Sequence, residues 1–211
     1  MGFDMVQVSP ASSNLCVMDG KAILLVDNRD SFTWNLAHDL ERAGARVTVR
    51  QAAECTAADA EGMDGIVLSP GPGLPSESEG LLALIAAWAP SRPVLGVCLG
   101  LQALVEWSGG QLRQMETVRH GRAGMARKTA DDPVLDRVGD RFEVGHYHSW
   151  CADRVALPEV WQVTAEVATD PDIVLALRHK TLPLHAVQFH PESVLTPDGR
   201  DMLAAWLDTL D

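Results

Sequence analysis

Apolar and polar positions follow two rhythms along this chain. Ala22–Asp27 (AILLVD) is a short, nearly continuous apolar run, the pattern of a strand buried on both faces. Ser31 then stands as a helix N-cap. Trp34, Leu36, Ala37, Leu40 and Ala43 follow at helical spacing, and Gly44 supplies a stop. Arg46–Arg50 (RVTVR) alternates and is β-branched, which predicts a second strand. Gly65–Leu68 predicts a third, running into the loop Ser69-Pro70-Gly71-Pro72-Gly73-Leu74-Pro75. Leu81–Trp88 reads as a helix, and Pro93–Val97 as a fourth strand that passes directly into a helix over Leu99–Trp107. Strand and helix in alternation predict an α/β fold: an open, mostly parallel sheet with helices on both faces.

The rhythm changes after Gly109. Phe142–Val144, Trp161–Val167, Ile173–Arg178 and Leu184–Phe189 read as strands separated by turns, which predicts an antiparallel edge added to the parallel core. Pro197–Leu210 closes the chain as an amphipathic helix with Met202, Leu203, Trp206 and Leu207 on one face. A chain of 211 residues supports one full-sized core, and no stretch reads as a linker. The expected division is therefore a single domain over residues 21–211. Residues 1–20, low in charge and without a period, read as a disordered extension outside it.

Composition narrows the class. Met1–Asp19 carries no Lys or Arg, and polar residues break its apolar ones, so it is not a secretory signal. No apolar run is long enough to span a bilayer, and the expected location is cytoplasmic. A net charge of -12 with no basic cluster argues against a nucleic-acid partner. Cys16, Cys55, Cys98 and Cys151 are scattered without a C-x-x-C pair, which argues against a zinc site and a disulfide framework.

One cysteine stands apart. Gly96-Val97-Cys98-Leu99-Gly100 follows an apolar strand and opens a helix, the G-x-nucleophile-x-G arrangement with Cys in place of Ser. The sharp turn strains the nucleophile, requires small neighbours, and sets the sulfur at a helix N-terminus where thiolate is favoured. The Leu99 N–H then points toward a nascent oxyanion. Read alone, the motif is equally compatible with a buried Cys between packing glycines.

A thiol nucleophile needs a base, and the base an orienting acceptor. His190 ends the apolar run LHAVQF at a strand's carboxyl edge, where open α/β sheets build their sites. Glu192 lies two residues on, on the same side of an extended chain, with Pro191 stiffening the link. The alternative is an exposed His beside a surface Glu. In the Ser69–Pro75 loop, prolines fix the chain and glycines let backbone N–H groups approach a ligand, so it offers a second oxyanion donor or a simple tight turn. His146 and His148 share a face if extended, but no third ligand at useful spacing supports a metal.

The segments SPGPGLP, GVCLGLQ and VQFHPES, in this order, resemble the class I glutamine amidotransferases over residues 22–210. LLVDNRDSFTWNL, His120-Gly121 and YHSW at Tyr147–Trp150 narrow the likeness to glutaminase subunits of chorismate-using synthases, namely anthranilate synthase component II and the 4-amino-4-deoxychorismate synthase glutaminase. The resemblance implies that Cys98 attacks the glutamine amide, His190 shuttles the proton and Glu192 holds the imidazole. It implies an oxyanion hole from the N–H groups of Leu99 and Gly73. It also implies glutamine contacts from Gly71, Gly73, Gln102, Ser149 and Trp150, with no metal and no cofactor. Ammonia would pass to a partner synthase, with anthranilate synthase placed first and aminodeoxychorismate synthase next. Two other readings compete: a non-catalytic scaffold of the same fold, and a stand-alone cysteine hydrolase. Leu101, Arg29 and Arg122-Ala123-Gly124 depart from the family pattern, the last two groups in segments expected to face the synthase.

Overall fold

The computed structural model describes residues 20–210, apart from the side chains of 116–119. The extension expected over residues 1–20 therefore lies, except for Gly20, outside the described residues. Gly20 itself is tied to the fold, its carbonyl accepting from Arg46 Nε at 3.0 Å.

The elements run β1 (Ala22–Asp27), α1 (Thr33–Arg42), β2 (Arg46–Gln51), β3 (Gly65–Leu68), α2 (Leu81–Trp88), β4 (Val94–Val97), α3 (Leu99–Trp107), β5 (Leu112–Lys128), β6 (Arg141–Ala152), β7 (Trp161–Val167), β8 (Asp170–His179), β9 (Leu184–Val187) and α4 (Gly199–Leu207). They build one sheet in the order β2-β1-β3-β4-β9-β8-β7-β5-β6. The first five strands in that order pair in parallel, and every later pairing is antiparallel. The α/β sheet with its antiparallel extension is thus the expected architecture, although the extension is larger than an edge.

The period of two in the parallel strands sorts their side chains between two cores. Ile23, Leu25, Val67, Leu95 and Val97 face α1 and α4, where Leu36, Leu40, Met202, Leu203 and Trp206 cover them. Leu24, Val26, Ile66, Leu68 and Val94 face α2 and α3, covered by Leu81, Leu84, Ile85, Leu101 and Leu104. Each such side chain contributes about 1.5–3 kcal/mol by leaving water. Both faces are sealed, so the carboxyl ends of the strands are where polar chemistry can gather.

Several expectations need correction. The N-cap of α1 is Phe32, not Ser31, and no side chain caps it. The preceding turn is organised instead by Asp27, whose Oδ1 accepts from the backbone N–H of Arg29 and Asp30 and from Thr33 Oγ1 at 2.7 Å. Trp34 does not join the buried face and is 68% exposed, because the inward stripe is Thr33, Leu36, Ala37 and Leu40. The seventeen-residue β5 was not expected. Its alternation is masked by polar residues and by register shifts at Gln114/Arg119 and His120/Arg122. The strand expected over 142–144 runs on to Ala152, because β5 pairs with it along most of that length.

Candidate active site

The elbow forms as steric reasoning requires. β4 ends at Val97, α3 begins at Leu99, and Cys98 between them holds φ 52° and ψ −100°. A non-glycine residue in that region carries about 1–3 kcal/mol of strain, held here by Cys98 N–H donating to the Val187 carbonyl at 2.8 Å. The flanking glycines have no room for a side chain. A Cβ at Gly96 would lie 2.6 Å from the Gly100 carbonyl carbon, and one at Gly100 would lie 2.5 Å from the Leu68 carbonyl oxygen. Leu99, as the first residue of α3, has an N–H without an intrahelical acceptor. The same helix end favours negative charge on the sulfur.

His190 follows β9, the parallel neighbour of β4, so both candidate side chains emerge at adjacent strand ends. Its Nδ1 donates to Glu192 Oε1 at 2.7 Å, with both side chains buried. Nε2 makes no hydrogen bond of good geometry among the described residues, yet the Cys98 thiol is close enough to act on the ring. Burial pushes the imidazole pKa down. Cys98 first and Glu192 second push it up by more, and the outcome is a rise to about 10. These neighbours therefore favour a proton on His190.

Aromatic packing fixes the imidazole plane. Phe32 and Tyr147 lie 5.1 and 4.9 Å from it, ring centre to ring centre, and Tyr147 O–H bonds Ser193 Oγ at 2.9 Å. Tyr147 also meets exposed His120 at 5.5 Å. No sequence signal pointed to Phe32 in this role.

The Ser69–Pro75 loop lies against the elbow. A Cβ at Gly71 would come within 2.4 Å of Leu99 Cδ2 and 2.7 Å of Asn28 Cβ, and Gly73 has φ +72°. Asn28 and Ser69 lock the loop: Asn28 N–H donates to Ser69 Oγ at 2.9 Å, and Asn28 Nδ2 to the Ser69 carbonyl at 3.0 Å. A cavity of about 330 Å³ opens between Asp27–Arg29, Pro72–Gly73 and Ser78–Glu79, but Cys98, His190 and Glu192 do not line it.

Of the residues expected to hold glutamine, Gln102 and Trp150 are joined directly, Gln102 Nε2 donating to the Trp150 carbonyl at 3.1 Å. Ser149 sits half-buried beside them on β6. His146 and His148 do share a face, but His146 Nδ1 and His148 Nε2 bond each other at 3.2 Å, and His148 Nδ1 donates to the Trp150 carbonyl at 3.0 Å. One residue beside Cys98 was missed: Gln188, fully buried, with Nε2 3.5 Å from Cys98 Sγ.

Residues 24–210 match the family described as Glutamine amidotransferase class-I. The chain is 35% identical to the putative anthranilate synthase component II of Haemophilus influenzae, over 88% of this chain and 95% of that protein. It is 39% identical to the aminodeoxychorismate synthase component 2 of Klebsiella aerogenes, over 88% of this chain and 99% of that one. Among solved structures it resembles a glutamine amidotransferase from Thermotoga maritima, with a TM-score of 0.72 and 15% identity over 90% of this chain and 97% of that chain, a likeness of fold. The protein belongs to the class-I glutamine amidotransferases.

Proposed function

We propose that the chain is the glutaminase component of a chorismate-using synthase, anthranilate synthase first, and that Cys98 hydrolyses L-glutamine through a thioester. One observation carries the chemistry: His190, held by Glu192 at 2.7 Å, acts on a cysteine strained at a strand-to-helix elbow. The Cys98 thiolate adds to the side-chain amide carbon. Backbone N–H groups of Leu99 and Gly73 receive the oxyanion, each worth about 3 kcal/mol in the transition state. His190, already protonated, gives its proton to the departing nitrogen, and the C–N bond breaks to release ammonia. Water then gives a proton to His190 and attacks the thioester. Collapse of the second oxyanion frees glutamate and the thiolate.

Ammonia delivery to a synthase is supported by the relatives, whose names are components of anthranilate and aminodeoxychorismate synthases. Arg29, Arg122 and Ala123 are exposed, as residues facing a partner would be. Gly71, Gly73, Gln102, Ser149 and Trp150 are the proposed glutamine contacts. The test is a Cys98→Ala chain assayed with its synthase. Glutamate release should vanish while synthesis from added ammonia persists. Retained glutaminase activity refutes the assignment. Adding anthranilate-forming and aminodeoxychorismate-forming synthase partners in turn, and reading which one stimulates glutamate release, identifies the partner.

A further inference from the structure

Gln188 lies two residues before His190 in the run that supplies the base, and it is fully buried. Its backbone N–H is spent on the Leu175 carbonyl at 2.8 Å, which holds it in the sheet. Its side chain stands between the Gln102 amide and a sulfur. Gln102 Nε2 donates to the Trp150 carbonyl at 3.1 Å and to Gln188 Oε1 at 3.3 Å, and Gln188 Nε2 reaches Cys98 Sγ at 3.5 Å.

The direction of this chain of bonds is fixed from one end. A backbone carbonyl only accepts, so Gln102 must turn its NH₂ toward Trp150. The remaining N–H of that group meets Gln188, so Gln188 must present its oxygen there. Its NH₂ is then left facing the sulfur. Reversing either amide would set oxygen against oxygen or leave a buried donor unpaired, at a cost neither position can relieve with water.

Resting on the assignment of Cys98 as nucleophile, we propose that Gln188 is a further catalytic residue, donating an N–H to the Cys98 thiolate, with Gln102 and the Trp150 carbonyl as positioning groups that aim it. A donor on sulfur favours the charged form over the thiol. The relay also ties the nucleophile to Gln102 and Trp150, two of the proposed glutamine contacts.

The experiment follows alkylation of the full chain by iodoacetamide across pH, with mass spectrometry to separate Cys98 from the other cysteines. Gln188→Met keeps the bulk and removes the donor. It should move the thiolate inflection upward by about one pH unit, so that labelling below the inflection slows roughly tenfold. Gln188→Glu keeps the shape but sets a carboxylate against the sulfur, and should move it further. Gln102→Leu leaves Gln188 in place, frees its amide to rotate, and should give a smaller shift of the same sign even if the Gln188 variants fold poorly. Thermal melting checks each fold. Folded variants whose inflection stays at the wild-type value overturn the proposal and leave Gln188 a packing residue. If the wild-type chain is not labelled at Cys98, the assignment of the nucleophile fails instead.

Discussion

The two halves of the sheet are built to different rules. In the parallel half, β2-β1-β3-β4-β9, the inner strands are short, largely apolar and sealed on both faces, while edge strand β2 leaves Arg46, Thr48 and Arg50 exposed. Its chemistry appears where β4 and β9 run out side by side, so Cys98 and His190 inherit a fixed spacing from two paired strands. The antiparallel half holds the long β5–β6 ribbon, with register shifts, exposed polar residues and side chains that reach back to the site. Tyr147 packs on His190, the Gly145 carbonyl accepts from His190 N–H at 3.2 Å, and the Trp150 carbonyl anchors Gln102. The contrast teaches a division of labour. The proposed nucleophile and base stand at strand ends of the parallel half together with Glu192, Gln102 and the Gly71–Gly73 loop, and the ribbon closes the site from the other side with the Tyr147 ring and the Gly145 and Trp150 carbonyls.

That division can be broken from either side. The largest effect is expected at the proposed base: His190→Asn should lower glutamine-dependent turnover by about 10²–10⁴-fold, read as kcat with the proposed synthase partner present, since the group proposed to protonate the leaving ammonia is gone. Gly100→Ala should act through the backbone. Its methyl meets the Leu68 carbonyl oxygen at 2.5 Å, so urea unfolding should show a loss of about 1–3 kcal/mol together with slower Cys98 alkylation. On the ribbon side, Tyr147→Phe keeps the ring against His190 and removes only the bond to Ser193. A loss of about 1 kcal/mol in kcat/KM is expected, and a loss as large as that of His190→Asn would erase the proposed division. Smallest should be Arg127→Ala. Buried Glu166 keeps Arg154 at 2.8 Å, so thermal stability falls by about 1 kcal/mol with glutaminase kinetics unchanged.

The pH behaviour sharpens the same comparison. His190 is raised to about 10 although burial opposes it, so its ring should remain protonated through neutral pH and lose its proton only near that value. Cys98→Ala removes the stronger of the two raising partners, and the midpoint read from imidazole resonances should fall. Glu192→Gln should lower it as well. A midpoint unmoved by Cys98→Ala would show that thiol and imidazole do not share charge.

Much of this was legible in the chain. The short apolar runs of β1, β3 and β4, alternating with helices, announced a parallel sheet, whereas β9, expected in the antiparallel edge, pairs in parallel with β4 because it returns beside it after the ribbon. G-V-C-L-G between a strand and a helix announced an elbow, and the structure shows why: two glycines touch backbone where no other residue fits. His190 and Glu192, two apart, needed only local geometry to meet. Residues brought together by folding left no such trace. Phe32 precedes His190 by more than 150 positions yet packs on its ring, and Gln188 reads as one more strand residue until its neighbours are known.

The sequence by itself thus determined the elements of the parallel half, the class of sheet and the turn at Cys98, because these follow from periodicity and sterics within a few residues. Only the tertiary structure decided what touches Cys98 and His190: the raised imidazole, the aromatic walls and the Trp150–Gln102–Gln188 line of amides. Each depends on groups from separate strands converging out of water, where a charge or an N–H acts strongly because nothing screens it.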